Sequence, residues 1–258
     1  MSPVTQPIPD SEILALLHLY RDWGVDCTLS EEAVNRFDSL PAPAQQPHES
    51  RPRASVGKTP ASSSASVGLS IETAPDFKTL EHAASQLPDC ILARMATHYV
   101  GPVHVPGAQL MLIGEVPDAD EDRSGNIFAG ATGILLDRML ASINLDRTGM
   151  SQTPALPWRP PGGRDITPIE LKLCRPILER TIALCAPKHL VVLGTTPTRM
   201  LLGETTQLAR VRGRWATTTI RGLGEIRLLP MRHPSQIRAS ATARRDAWRD
   251  LLTLADTV

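Results

Sequence analysis

The polar residues best placed to do chemistry in this chain follow directly after apolar runs. "AQLMLIGE" ends on Glu115 and opens into the acidic turn "GEVPDADED", "HLVVLG" passes into "GTTPT", and "IRLLPM" runs into "MRHPSQIR". The last sets His233, Pro234, Ser235 and Gln236 between Arg232 and Arg238. A carboxylate can hold a developing positive charge, an imidazole can donate a proton or a hydrogen bond near neutral pH, and arginines pair with phosphates. Each has a plainer reading too: Glu115 as a capping residue and the His233-Pro234 pair as a turn with a satisfied imidazole, just as Phe128, in the Ala/Gly-rich stretch after the acidic turn, reads as core. Formal charge is zero overall, yet residues 210–249 carry ten arginines against Glu225 and Asp246, while residues 115–122 hold five acids. A basic face beside an acidic turn suits a protein that grips a phosphate backbone and acts nearby. Solvated helix faces give the same pattern.

These groups need elements to position them. The first apolar run, bounded by Gly107 and Gly114, is too brief for a helix and reads as a buried strand, as do the other two. Helical patterns lie around and between them. "PDFKTLEHAASQL" places Phe77, Leu80, Ala84 and Leu87 on one face; "GATGILLDRMLASI" and the long "TPIELKLCRPILERTIALCAP" follow, the latter opened by Thr167 with Pro168 in its first turn. "TPTRMLLG" and "ASATARRDAWRDLLTLAD" complete the set. Strands alternating with amphipathic helices predict an α/β protein with a parallel sheet covered on both sides. Such sheets bind ligands beyond the carboxyl ends of their strands, where the three polar segments fall.

Residues 39–70 are rich in Pro, Ala and Ser and nearly free of large apolar side chains, so they read as a disordered linker ahead of a domain at 72–258. Residues 1–38 read as a helical segment, with Ser11 as cap and Ile13, Leu14, Leu16, Leu17, Tyr20 and Trp23 apolar. Too small to fold unaided, it is expected to dock on the main domain or on a protein partner. Cys27, Cys90, Cys174 and Cys185 form no C-x-x-C pair, and neither a signal pattern nor a run of membrane-spanning length is evident. A cytoplasmic monomer with reduced thiols is expected.

Taken in order, "LMLIGE", "GNIFAGATGILLDRMLASINLDR", "WRPPGGRDITPIELKLCRPILERTIALCAPKHLVVLG", "RGRW" and "HPSQIR" resemble the uracil-DNA glycosylase superfamily, most of all its family 4, the iron–sulfur bacterial and archaeal branch. The resemblance implies a three-layer αβα fold around a central, mostly parallel four-stranded sheet. It also implies excision of uracil or a related damaged base from DNA in base-excision repair. By the same resemblance Gly114 and Glu115 lie beneath the sugar, Phe128 stacks on the flipped base, His233 approaches the base O2, and Arg232, Ser235, Gln236 and Arg238 face the DNA. Breaking an N-glycosidic bond builds positive charge on deoxyribose and negative charge on the base, so a carboxylate near the first and a donor near the second lower the barrier. Stacking on Phe128 would hold a base taken out of the helix.

The segment "TPALPWRPPGGRD" departs from the family's Thr-Asn-Val-Val-Lys-Cys-Arg-Pro-Pro. Aligned on Arg159, Pro160 and Pro161, the uracil-reading asparagine position is Pro154, which has neither a side-chain amide nor an N–H. Cys90 and Cys174 match two ligands of the family's 4Fe–4S cluster, but the other two positions read Leu87 and Trp158. With two of four ligands missing, no cofactor is expected; Leu87 and Trp158 should fill the space, with the cysteines as buried thiols. Asp118 replaces the second glycine of Gly-Glu-x-Pro-Gly, and either crowds the sugar or adds a carboxylate. Two functions stay open: a glycosylase with altered base preference, favoured by Glu115, Phe128 and His233, or a DNA- or partner-binding module that lost its chemistry, favoured by the arginines and Pro154.

Overall fold

The computed structural model describes Leu14, His18 and residues 70–88, 90–238 and 240–257. The described residues from Ser70 onward lie in the compact unit Lys58–Val258. The readings of 1–38 as a helical segment and 39–70 as a linker lie outside the described residues, apart from Leu14 and His18, both helical and exposed, and Ser70, which opens a helical turn at 70–73.

Strands β1 (Leu110–Gly114), β2 (Ser151–Pro154), β3 (His189–Leu193), β4 (Ala216–Ile220) and β5 (Gly224–Met231) form one sheet in the order β2-β1-β3-β5-β4. All neighbours run parallel except β4, which is antiparallel to β5. The sheet therefore has five strands, which corrects the expected four. The additional β4, "ATTTI", is an edge strand whose side chains alternate between half-buried and exposed, so it lacks the apolar run of an inner strand. The polar β2, "SQTP", also escapes a search for apolar runs, although all four of its residues are buried. Its terminal proline is tolerated because β2 lies at the other edge.

Period-two alternation divides the inner strands between two cores. Met111, Ile113, Leu190, Val192, Ile226 and Leu228 face one, and Leu110, Leu112, Val191, Leu193, Leu229 and Met231 face the other. Helices α1 (Phe77–Ser85), α2 (Ile91–Met95), α5 (Pro168–Cys185) and α6 (Thr195–Leu202) cover the first face; α4 (Gly130–Ala141) and α9 (Ala241–Ala255) cover the second. Short helices α3 (Ala119–Ser124), α7 (Leu208–Val211) and α8 (Pro234–Ile237) complete the chain. This is the three-layer αβα arrangement. The starts of the long helices follow from their sequence. Asp76 accepts from Thr79 N at 2.7 Å, Thr167 and Glu170 close a capping box ahead of Pro168, and Ser240 accepts from Ala243 N at 3.0 Å.

Candidate active site at the strand ends

The chain leaves β1 for β2 on one side and returns to β3 on the other, which makes the carboxyl ends of β1 and β3 the switch point of the sheet. Glu115 stands there. Its Oε1 accepts from the backbone amides of Thr195 and Thr196, the latter at 3.1 Å, so the carboxylate latches the first strand end to the start of α6. Gly194 has φ +111, and a Cβ there would lie 2.2 Å from Oε1, so the latch requires glycine. Burial pushes the Glu115 carboxyl above its ordinary range, against the lowering effect of the Thr196 and Thr195 donors.

Phe128 is 3% exposed and holds a left-handed backbone, φ +52, which costs a bulky side chain roughly 1–2 kcal/mol. Several groups hold it there. Its N–H donates to Glu121 Oε1 at 2.5 Å, and the Arg147 guanidinium lies over the ring, 5.6 Å from its centroid. A Cβ on Gly133 would sit 1.8 Å from Phe128 O, and one on Gly114 would meet the ring at 3.0 Å. Glu121 is itself fixed by the capping box of α3: Asp118 Oδ1 accepts from Asp120 N and Glu121 N at 2.9 and 3.0 Å, and Glu121 Oε2 accepts from Asp118 N at 2.8 Å. Burial raises the Glu121 carboxyl to about 7, partly offset by its two amide donors. Asp118 is thus a helix cap, the role that its type and its spacing from Glu121 allow.

His233 is 7% exposed, and its ring faces that of Phe128, with centroids 6.3 Å apart and planes inclined by 26°. The backbone N–H of Ser235, which can only donate, approaches His233 Nδ1 at 3.4 Å, and Ser235 Oγ lies 2.8 Å from the same nitrogen. Nδ1 is therefore the acceptor, and the neutral ring carries its proton on Nε2. Burial pulls the imidazole down to about 4, with Asp118 acting weakly the other way, so the ring is neutral at pH 7.

Gly114, Glu115, Phe128 and His233 thus gather at one end of the sheet, and Pro154 joins them through its register with Gly114. The expected DNA contacts divide. Arg238 is exposed, whereas Arg232 donates from Nη2 to Asp246 at 3.2 Å and its buried Nε has no partner among the described residues. The Ser235 hydroxyl serves His233, and Gln236 is half-buried. Behind Arg232, Arg212 binds the buried Asp250 through Nε and Nη2 at 3.1 and 2.8 Å. Glu121 and the run Gly194, Thr195 and Thr196 fall in the strand-end segments "GEVPDADED" and "GTTPT", which the sequence marks without giving these residues roles, whereas Gly133 and Arg147 carry no such signal.

Leu87, Cys90, Trp158 and Cys174 all belong to one apolar cluster, and Trp158 packs edge-on against Tyr99 at 5.9 Å. Interaction with Cys174 draws the Cys90 thiol down to about 7, and interaction with Cys90 together with burial pushes that of Cys174 up. Among the described residues no three His, Cys, Asp or Glu side chains are grouped to hold a metal. Two thiols beside an indole and a leucine do not fit a four-iron cluster.

A doubly covered sheet gathers a carboxylate, a phenyl ring and a neutral imidazole at its switch point, and the uracil DNA glycosylase superfamily profile matches residues 102–252. The chain belongs to that superfamily. Its relatives place it in the type-4 branch: it is 34% identical over 152 residues to the type-4 uracil-DNA glycosylase of Archaeoglobus fulgidus, covering 57% of this chain and 76% of that protein. It is also 34% identical over 151 residues to the enzyme of Sulfurisphaera tokodaii, covering 57% and 68%, and 30% identical over 130 residues to that of Thermotoga maritima, covering 50% and 66%.

Proposed function

We propose that this chain is a DNA N-glycosylase of base-excision repair that removes uracil or a related damaged base, acting as a cytoplasmic monomer without an iron–sulfur cluster. The observation that carries the reading is the neutral His233, fixed with Nε2–H free to donate beside the Phe128 ring. A base stacked on Phe128 presents its carbonyl edge to that N–H. As the glycosidic bond breaks, the hydrogen bond strengthens with the charge on the departing base, and no proton need move. Glu115, fixed by the α6 amides, supplies negative charge opposite the developing sugar cation. Arg238 and the exposed arginines of α9 offer partners for phosphates. Among the described residues no helix is long and apolar enough to cross a membrane.

Purified protein incubated with single- and double-stranded oligonucleotides carrying uracil, hypoxanthine or xanthine, then treated with alkali, tests the proposal. Abasic sites formed by wild type and lost in a His233→Ala variant support it. DNA binding without cleavage on any substrate assigns the chain to the binding-module reading, which Pro154 favours. An absorbance band of an iron–sulfur cluster in anaerobically purified protein overturns the claim that none is used.

A further inference from the structure

We infer that the outer face of α9 is a second DNA-contacting surface, selective for single strands, on which Trp248 stacks an unpaired base among arginines that hold the neighbouring phosphates. The inference rests on DNA being the ligand of this chain, as proposed above, and not on cleavage. The helix is divided cleanly between two faces. At about 100° per residue, Arg244, Arg245, Trp248, Arg249 and Leu252 fall within an arc of about 140°. All five are exposed, Trp248 by 46%. The opposite arc holds Ala243, Ala247, Asp250, Leu251 and Leu254, all buried, together with the half-buried Asp246. Both acids of the helix thus turn inward, where Arg212 pairs with each and Arg232 pairs with Asp246. The outer face of α9 is left with three positive charges and no negative one.

These groups are not committed elsewhere. Among the described residues the side chains of Arg244, Arg245 and Arg249 make no hydrogen bond or ion pair, and Trp248 makes no ring or cation–π contact, unlike Trp158 and Trp215. The arginines complement phosphates in charge, and a half-exposed indole offers a flat apolar plane to a base. Bases inside a duplex are stacked on one another and present no open face, so the indole selects a single strand. From Arg244 to Leu252 the stripe runs about 12 Å, over which a DNA strand at about 3.4 Å per phosphate carries three or four of them. The stripe also continues from the site described above. Exposed Arg238 is the C-cap of α8, and Ser240 caps α9 two residues later. A strand held at the His233 loop therefore has α9 as the next basic surface along the chain.

The test uses the full chain and oligonucleotides without uracil, so that binding alone is read. Fluorescence anisotropy gives affinities for a labelled single strand and for its matched duplex over a range of salt, and melting curves verify that each variant folds. Trp248→Ala should lose roughly 10-fold or more in single-strand affinity while staying within about twofold of wild type on the duplex. Trp248→Phe should recover most of that loss. Replacing Arg244, Arg245 and Arg249 together by alanine should reduce the single-strand salt slope by about 2. Single-strand binding that depends on Trp248, without excision of any base, upholds this inference while the proposed cleavage fails. A wild type that does not bind single strands, a folded Trp248→Ala variant within about twofold of it on them, or an equal loss on the duplex overturns the inference. Binding to vesicles of anionic phospholipid that needs Trp248 while DNA binding does not overturns it too.

Discussion

Replacing Pro154 by asparagine places a carboxamide at the end of β2, in register with Gly114, which itself abuts the Phe128 ring. The backbone should accept it. The bonds that continue the β1–β2 pairing past this point come from Ala155 N, to Gly114 O at 3.0 Å and Glu115 O at 3.2 Å, so residue 154 need not donate. A carboxamide offers one donor and one acceptor, complementary to the O4 and N3–H of uracil. Each such bond contributes about 1 kcal/mol net, so two give about 2 kcal/mol, or roughly a 30-fold faster excision of uracil if both strengthen in the transition state. Cytosine presents the inverse pattern, an N4 donor beside an N3 acceptor, and should gain little. Single-turnover rates for Pro154→Asn and wild type on matched uracil and cytosine oligonucleotides, with melting curves to establish folding, measure the effect. A folded variant within threefold of wild type on uracil, or equally accelerated on both bases, would refute the assignment of this wall as the base-reading position.

Other consequences are as specific. His233→Ala should lower the single-turnover rate at pH 7 by about 100-fold or more. Because His233 titrates near 4 folded against 6.5 ordinarily, the unfolded chain binds the extra proton between those values. Its contribution, about 3 kcal/mol, is complete above pH 6.5 and lost as pH falls toward 4, so urea midpoints of His233→Asn should fall less between pH 7.5 and 5 than those of wild type. Arg212→Ala strands the buried Asp250 and should cost about 3–5 kcal/mol in urea unfolding. Arg238→Ala should reduce the slope of log affinity against log salt by about 0.9, while Arg232→Ala, already paired with Asp246, should leave it nearly unchanged.

The inner strands and long helices are legible because burial on one or two faces imposes a period on the sequence. Thr167, Pro168 and Glu170 mark the start of α5 as plainly as Leu110 to Gly114 mark β1. β2 and β4 escape because an edge strand is specified by its neighbours rather than by its own apolarity. The site divides on similar lines. Glu115, Phe128 and His233 stand at strand ends or within motifs, where residue type and order are informative. Their supports come from far along the chain: Arg147 reaches Phe128 across 19 residues, and Thr195 and Thr196 reach Glu115 across 80 and 81. The strand-end rule marks the segment that holds the two threonines but not its pairing with Glu115, and nothing local announces Arg147. Arg232 shows the reverse, a residue of the right type in the right loop whose charge is already committed to Asp246.

The left-handed backbone of Phe128 also bears on the timing of recognition. Its unfavourable conformation is settled during folding by Glu121, Gly133 and Arg147, before any DNA arrives. On the proposed function, an incoming base would then meet a ring already ordered and lose none of its affinity to arranging it. The same economy makes the site brittle: relaxing any one support frees the ring toward commoner backbone angles, so damage there should surface as slower encounter and weaker retention of the base while the fold stays intact.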